Sequence, residues 1–407
     1  MSADDVLGST ATDPPDEPGI VPGLFRSESD VIQATDLIGP WAIRAAATLR
    51  IADILAIRPR EVADLAAELG VNEDALRRLL RYLARRGLFQ EQNADTYATT
   101  SIAAVLYDDH PWRLRKWLDY DGAGGRMALA TPGMLSALRT GTAAYKEICG
   151  REFWDDLEHS PEISDSYDAL MGDLSEAMAP GIVKVYDWGK IGHLVDVGGG
   201  NGTLISSLLK CYKNLTATLV EMPRTAARAA DRLRSDDLLD RCRVIAGDMF
   251  DPLPPSADVY LLSFVLHAFA DNAAAQILRR CAQAGNPDSH IMVIECVTDG
   301  AESIEMAAHD LRMLTLVGGV ERSRSQFTEL FARADLRLIS ANNVGTGEVV
   351  FLCEADSRIG AGNRELSLYN SQRMGSKIVA SQRRGDVRFG QTAIGRQRDP
   401  WPFSGLR

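Results

Sequence analysis

The apolar positions of this chain change their period along its length. From Asp30 to Leu55 they recur at helical spacing: Val31, Ile32, Leu37, Ile38, Ala42, Ile43, Ala46, Leu49, Ile51, Ile54 and Leu55. That spacing predicts two helices, interrupted near Pro40, with an apolar face broad enough to meet a partner chain as well as their own core. Pro59–Leu69 and Glu73–Arg86 read as two more helices joined by a turn at Gly70-Val71-Asn72, the second with Leu76, Leu79, Leu80 and Leu83 inward. Gly87-Leu88-Phe89 then leads into short strands ending near Tyr97. Together these elements predict a winged helix-turn-helix. More helix follows over 101–150. Phe153–Leu157 and Tyr167–Met178 predict two linking helices, the second broken or kinked at Pro180-Gly181.

From Tyr186 the pattern becomes alternating strand and helix. Strands are predicted at 193–197, 217–221, 243–246, 257–264, 289–295, near 335–342 and at 348–353, with helices over about 273–284, 304–317 and 325–334. The implied fold is α/β: a Rossmann-like, doubly wound sheet of about seven strands, preceded by a mostly helical winged-helix domain. The domain reading is a disordered segment 1–24, a helical winged-helix domain 25–150, linking helices 151–185, a catalytic domain 186–355 and a disordered or loosely docked tail 356–407. The tail is rich in Ser, Gly, Gln and Arg, and its ten Arg and Lys against four Asp and Glu reverse the sign of the rest.

Composition narrows the function. With 45% hydrophobic and 25% charged residues, the 407-residue chain is an ordinary globular protein. Its net charge of −12 works against a general role on nucleic acid. Arg77, Arg78, Arg81, Arg85 and Arg86 on the second helix of the winged module resemble a DNA-reading face, but equally a solvated basic face on a dimerisation scaffold. No apolar run approaches the ~20 residues a bilayer requires, and the acidic N-terminus lacks a signal-peptide pattern. Six scattered cysteines without a C-x-x-C pair predict reduced thiols in a cytoplasmic protein.

Candidate chemistry collects at the carboxyl ends of the strands, where open α/β sheets hold ligands. The first strand runs into Gly198-Gly199-Gly200-Asn201-Gly202 and an apolar helix. Asp196 precedes these glycines; an acid there would repel a pyrophosphate and suits a cationic ligand, a sulfonium nucleoside with an ammonium group. Glu221 lies 25 residues further on, where an acid would meet a ribose diol. Asp248 and Met249 end the third strand and suit an adenine, through its exocyclic amine and its face. Ser263 to His267 end the fourth strand and Glu295 the fifth; His267 is the only histidine at such an end. Glu295, or Glu321 in the turn Gly318-Gly319-Val320-Glu321-Arg322, would accept the imidazole N–H and fix its tautomer. Trp112, Trp117, Met127 and Met134 suit a pocket for a flat apolar ligand or a plain core. A metal site on His267 and His309 lacks a third ligand, so no metal is expected.

The stretches LVDVGGGNGTL, GDMFDPLP, LSFVLHAFAD, ILRRC, DLRMLTLVGGVERS and FWDDL resemble the class I S-adenosylmethionine-dependent methyltransferases. Over about residues 30–354 the chain is similar to the small-molecule O-methyltransferases of plant caffeate type and bacterial antibiotic pathways. RKWLDYDGAGGR followed by LRTGTAAY is most like the enzymes that methylate polyketide naphthoates and related phenols. The resemblance implies S-adenosylmethionine as cofactor, a phenolic aromatic substrate, and a homodimer whose winged helix closes the partner's pocket. It implies His267 as general base flanked by Glu295 and Glu321. Gly198, Gly200, Glu221, Asp248, Met249, Ser263 and Phe269 with Asp196 would line the cofactor site, and Met171, Asp310 and Trp117 the substrate. The chain departs from the family in two places. His267-Ala268-Phe269 stands where His-Asp-Trp is usual, and Ser263 where a lysine often approaches the adenine. The departure at Ala268 leaves C- or N-methylation, or a non-methylating reaction, as alternatives within the fold; a nucleoside-sensing winged-helix regulator is the alternative outside it.

Overall fold

The computed structural model describes residues 25, 27–299, 304–344 and 347–356. The expected segment 1–24 and all of the expected tail but Asp356 lie outside the described residues.

The N-terminal helices number three rather than two: Glu28–Ala34, Ile38–Thr48 and Ile51–Ile57. The first break precedes Pro40, which sits in the first turn of the second helix, where a missing N–H breaks no intrahelical bond. The second break is Arg50, whose left-handed backbone (φ 53°) ends one helix before the next begins. The wing is as predicted. Strand Thr96–Thr99 pairs antiparallel with Arg60–Glu61 on one side and Phe89–Asn93 on the other, beside helices Val62–Leu69 and Glu73–Arg85. On the basic helix, Arg77 pairs with Glu73 and Asp95, Arg78 with Asp74, and Arg86 just beyond it with Asp36.

The linking helix corrects the expected break. It runs unbroken from Pro161 to Val185 with Pro180 inside it. Proline removes one hydrogen bond there, but Ala179 and Ile182 on either side are buried in the core beneath the sheet, so tertiary packing keeps the helix in register.

The large sheet comprises β1 (His193–Val197), β2 (Thr216–Glu221), β3 (Cys242–Ala246), β4 (Val259–Ser263), β5 (His290–Cys296), β6 (Leu336–Asn343) and β7 (Glu348–Ala355). Its order is β3-β2-β1-β4-β5-β7-β6, with β7 antiparallel to both its neighbours. The strand order reverses between β1 and β4, which makes the crevice at their carboxyl ends the topological switch point. Alternation along β1 sends Val195 and Val197 to the face covered by helices Asp271–Ala284 and Arg324–Arg333. Leu194 packs on the other face, with helices Thr203–Cys211 and Pro223–Ser235. All six cysteines are free thiols.

Candidate active site

The glycine turn after β1 is tied to the next strand end. Gly200 N–H donates to Glu221 Oε2 at 3.0 Å, and Met222 N–H to Glu221 Oε1 at 2.7 Å. Gly198 has a left-handed backbone (φ 72°), and a Cβ on it would sit 3.0 Å from Val265 and 3.2 Å from Met249 Cε. The turn after β1, Met249 after β3 and Val265 after β4 therefore meet at one point, as the strand ends predict.

Asp196 lies lower than the sequence suggests. On β1 it follows Leu194 onto the helix-covered face, 1% exposed, with its carboxylate under Gly199. Neither of its oxygens has a hydrogen-bond partner among the described residues. Burial, and then the charge of Glu221, push Asp196 up to about 7. Burial pushes Glu221 to about 7 as well, against the hydrogen bonds from Met222 and Gly200. A buried acid without a partner among the described residues, beside a half-buried one at the same turn, suits a cationic ligand. That is the acceptor chemistry a sulfonium nucleoside with an ammonium group and a ribose diol requires. Glu221 is half-buried at the end of β2, whereas Asp196 lies beneath the turn.

The second half of the site is the segment after β4. Phe264 takes a left-handed backbone (φ 55°), unusual for an aromatic residue, and turns the chain so that Leu266-His267-Ala268 faces β5. Glu295 on β5 is fully buried. Its Oε2 lies 2.8 Å from His267 Nδ1, and its Oε1 accepts the N–H of Leu266 at 2.6 Å and of His267 at 3.3 Å. One carboxylate thus holds both ring and backbone. His267 Nδ1–H donates to Glu295, leaving Nε2 without a partner among the described residues. Burial alone would pull this imidazole down, but the charge and hydrogen bond of Glu295 and the charge of Glu321 hold it above its ordinary value.

Glu321 is near but does not share the task. Its Oε1 lies 2.8 Å from His309 Nδ1, and its backbone N–H donates to Asp310 Oδ1 at 2.8 Å. Of the two carboxylates the sequence left open for the His267 ring N–H, Glu295 takes it, and Glu321 forms a second pair with His309. The cause is helix Ile304–Val317, which carries His309 and Asp310 on adjacent positions over the Gly318–Arg322 turn. Asp310 spends one oxygen on that turn.

The turn itself clamps His267. Val320 N–H donates to the His267 carbonyl at 2.9 Å. Arg322, 1% exposed, donates to the carbonyls of Leu266 (2.9 Å) and Phe269 (2.7 Å) and to Asp271 (3.0 Å). A Cβ at Gly319 would collide with the His267 carbonyl and come within 2.9 Å of the Ala268 backbone. Gly319→Ala is therefore expected to destabilise the protein by about 1–3 kcal/mol, as overpacking does, and to lower turnover by displacing His267. Chemical denaturation and initial rates check this; a variant matching the parent in both would contradict the clamp.

The remaining predicted residues divide. Asp248 is exposed, and its Oδ1 accepts the N–H of Phe250 at 2.9 Å. Ser263 ends β4, half-buried. Phe269 packs edge-on against Phe250, with ring centres 5.6 Å apart, and so belongs to the core beside the site. Trp117 and Met171 pack into one cluster with Met313 and Leu316, from the helix that bears His309. Met127 belongs to the same cluster, whereas Trp112 is exposed. No group of three metal-ligating side chains occurs among the described residues. The clamp by Arg322 went unread in the sequence, and His309 was weighed there only as a metal ligand. The glycine pair before Arg322 signals a close approach, but nothing along the chain says which carbonyls lie across it.

Residues 134–337 match the O-methyltransferase domain, and residues 34–109 the O-methyltransferase dimerisation domain. The 2,7-dihydroxy-5-methyl-1-naphthoate 7-O-methyltransferase of Streptomyces carzinostaticus is 41% identical over 315 residues, 77% of this chain and 94% of that one. The aclacinomycin 10-hydroxylase of Streptomyces purpurascens is 38% identical over 321 residues, 78% of this chain and 86% of that one. An O-methyltransferase from neocarzinostatin biosynthesis, solved with S-adenosylmethionine and 2-hydroxy-5-methyl naphthoic acid, matches with a TM-score of 0.76 at 40% identity, over 79% of this chain and 98% of that chain. The dimerisation domain carries exposed apolar side chains at Leu37, Ile38, Ile57 and Ile102, suited to cover by a second copy. The chain belongs to the O-methyltransferase family with an N-terminal dimerisation domain, which uses S-adenosylmethionine as methyl donor.

Proposed function

We propose that this enzyme methylates a phenolic hydroxyl of an aromatic, polyketide-like metabolite, with His267 as the general base. The observation that carries the reading is the His267–Glu295 pair. A fully buried carboxylate fixes the tautomer, and the unpartnered Nε2 is left to take a proton. Glu221, the glycine turn at Gly198 and Gly200, Asp248 and Met249 would hold S-adenosylmethionine, with Asp196 beneath the turn. Met171, Trp117 and the helix bearing Asp310 would bound the substrate. S-adenosylmethionine supplies an electrophilic methyl group on a sulfonium.

The task of His267 can be sized. A phenol near pKa ~10 and an imidazole near ~6.5 differ by roughly 3.5 units, about 5 kcal/mol against complete transfer. Glu295 narrows that gap by stabilising the imidazolium. Positioning of the phenol supplies roughly 7–11 kcal/mol, the larger share. The N-terminal domain 25–150 would serve pairing, helices 151–185 linkage and 186–355 chemistry. Six free thiols support a reducing, cytoplasmic setting.

The test is product analysis after incubating the enzyme with methyl-labelled S-adenosylmethionine and a panel of hydroxynaphthoic acids. The label is expected on oxygen. Label on carbon, or a product that gains oxygen without label, would reject O-methylation; the second outcome would align the chain with its hydroxylase relative.

Binding of the donor should also depend on pH. Both Asp196 and Glu221 stand at about 7 in the protein, above their ordinary 3.8 and 4.5. Without ligand they therefore carry protons below pH about 7, and a cationic, hydroxyl-donating ligand favours their ionised forms. Affinity for S-adenosylmethionine is expected to rise with pH up to about 7 and level above it, with protons released on binding at pH 6. By the same sign, the ligand-free fold gains stability as pH falls from about 7 towards 5. Titration calorimetry in two buffers of different ionisation enthalpy measures the release; none at pH 6 would remove the assigned pair.

A further inference from the structure

The His309–Glu321 pair is left without work by the reading above, although it stands beside the proposed base. The two imidazole centres are 5.8 Å apart and their planes meet at 71°. Both rings are tied in the same manner, each Nδ1 lying 2.8 Å from a carboxylate on the protein side, Glu295 for His267 and Glu321 for His309. Those carboxylate side chains are 0% and 3% exposed, the rings 18% and 36%. Each ring is thus anchored through Nδ1 on a buried carboxylate while the ring stays partly exposed, so Nε2 is the nitrogen left for a ligand. No partner of His309 Nε2 occurs among the described residues. The carboxylate on Nδ1 fixes the proton there, so in the neutral ring Nε2 is an acceptor.

We propose that His309, held by Glu321, is a second substrate-facing acceptor, which selects an aromatic ring bearing a second hydroxyl or amino N–H next to the hydroxyl that His267 receives. The proposal rests on the O-methyltransferase reading for the role of His267. The donor it requires follows from geometry: neighbouring substituents of one ring are close enough to meet two imidazoles that stand side by side. A ring with a methoxy group or hydrogen at the second position leaves the His309 acceptor unmet, and an unmet acceptor lowers affinity without altering the chemistry at His267.

The experiment measures binding of 2,3-dihydroxynaphthalene and 2-naphthol to the full-length enzyme with S-adenosylhomocysteine present, by titration calorimetry. The parent should bind the diol roughly 3–10-fold more tightly than 2-naphthol, the worth of one net hydrogen bond. His309→Ala should bind the two alike, and Glu321→Gln should lose much of the preference. His309→Asn, which restores an acceptor, should recover part of it. His309 is partly exposed, so these variants are expected to fold, and thermal midpoints check that. No preference for the diol in the parent, or an undiminished preference in His309→Ala, overturns the proposal. Failure of the underlying reading is seen separately, as absence of labelled methyl on oxygen in the parent's product.

Discussion

Replacing His267 by alanine is expected to lower the methyl-transfer rate about 10²–10⁴-fold, the usual worth of a positioned base, while S-adenosylmethionine binds as before. The residual rate reflects positioning, which the variant retains. The separation follows from the site: the groups assigned to the donor sit on β1, β2 and β3, whereas His267 hangs from β4 and β5. Glu295→Gln should fall by roughly 10²-fold or more. The amide can still accept the Leu266 N–H, but it neither holds Nδ1 in the donating tautomer nor balances an imidazolium. Alanine at 295 is the poorer test, because it strands the buried Leu266 N–H and leaves the His267 ring without its anchor. Single-turnover rates with saturating donor measure both; parental rates in His267→Ala would remove the base.

Arg322→Met is expected to destabilise the protein by about 2–4 kcal/mol, since the carbonyls of Leu266 and Phe269 lose a donor in a dry setting. The ion pair with Asp271 adds little, because that carboxylate is half exposed. Methionine fills similar space, so the loss is polar rather than a cavity. Turnover should fall as well, because the released segment is the one that presents His267. The denaturant midpoint and the rate are the readouts. A loss below about 1 kcal/mol with unchanged turnover would mean that Glu295 alone holds the segment.

Much of this was legible in the chain. The parallel strands β1 to β5 carry acids, glycines or a histidine at or just beyond their carboxyl ends, because buried parallel strands and their exposed carboxyl ends have different residue requirements. What stayed hidden depends on third dimensions of the fold. Counting along the sequence could not decide between Glu295 and Glu321 for His267, since the choice rests on a helix that brings His309 to Glu321 first. Asp196 is two residues before the glycines, yet strand alternation sends its carboxylate beneath the turn. Pro180 looked like a helix end because local propensity says so; packing of Ala179 and Ile182 overrules it. Arg322 drew no notice because its partners are backbone carbonyls, which leave no mark on a sequence.

The most direct test of the central claim, that Glu295-held His267 removes the phenol proton, is a single-turnover rate series over phenols of rising acidity, run on the parent and on His267→Ala. The deficit of the variant should be greatest for weakly acidic phenols and should shrink towards none for nitro-substituted phenols already ionised at the assay pH. An equal deficit for ionised and un-ionised phenols would contradict it.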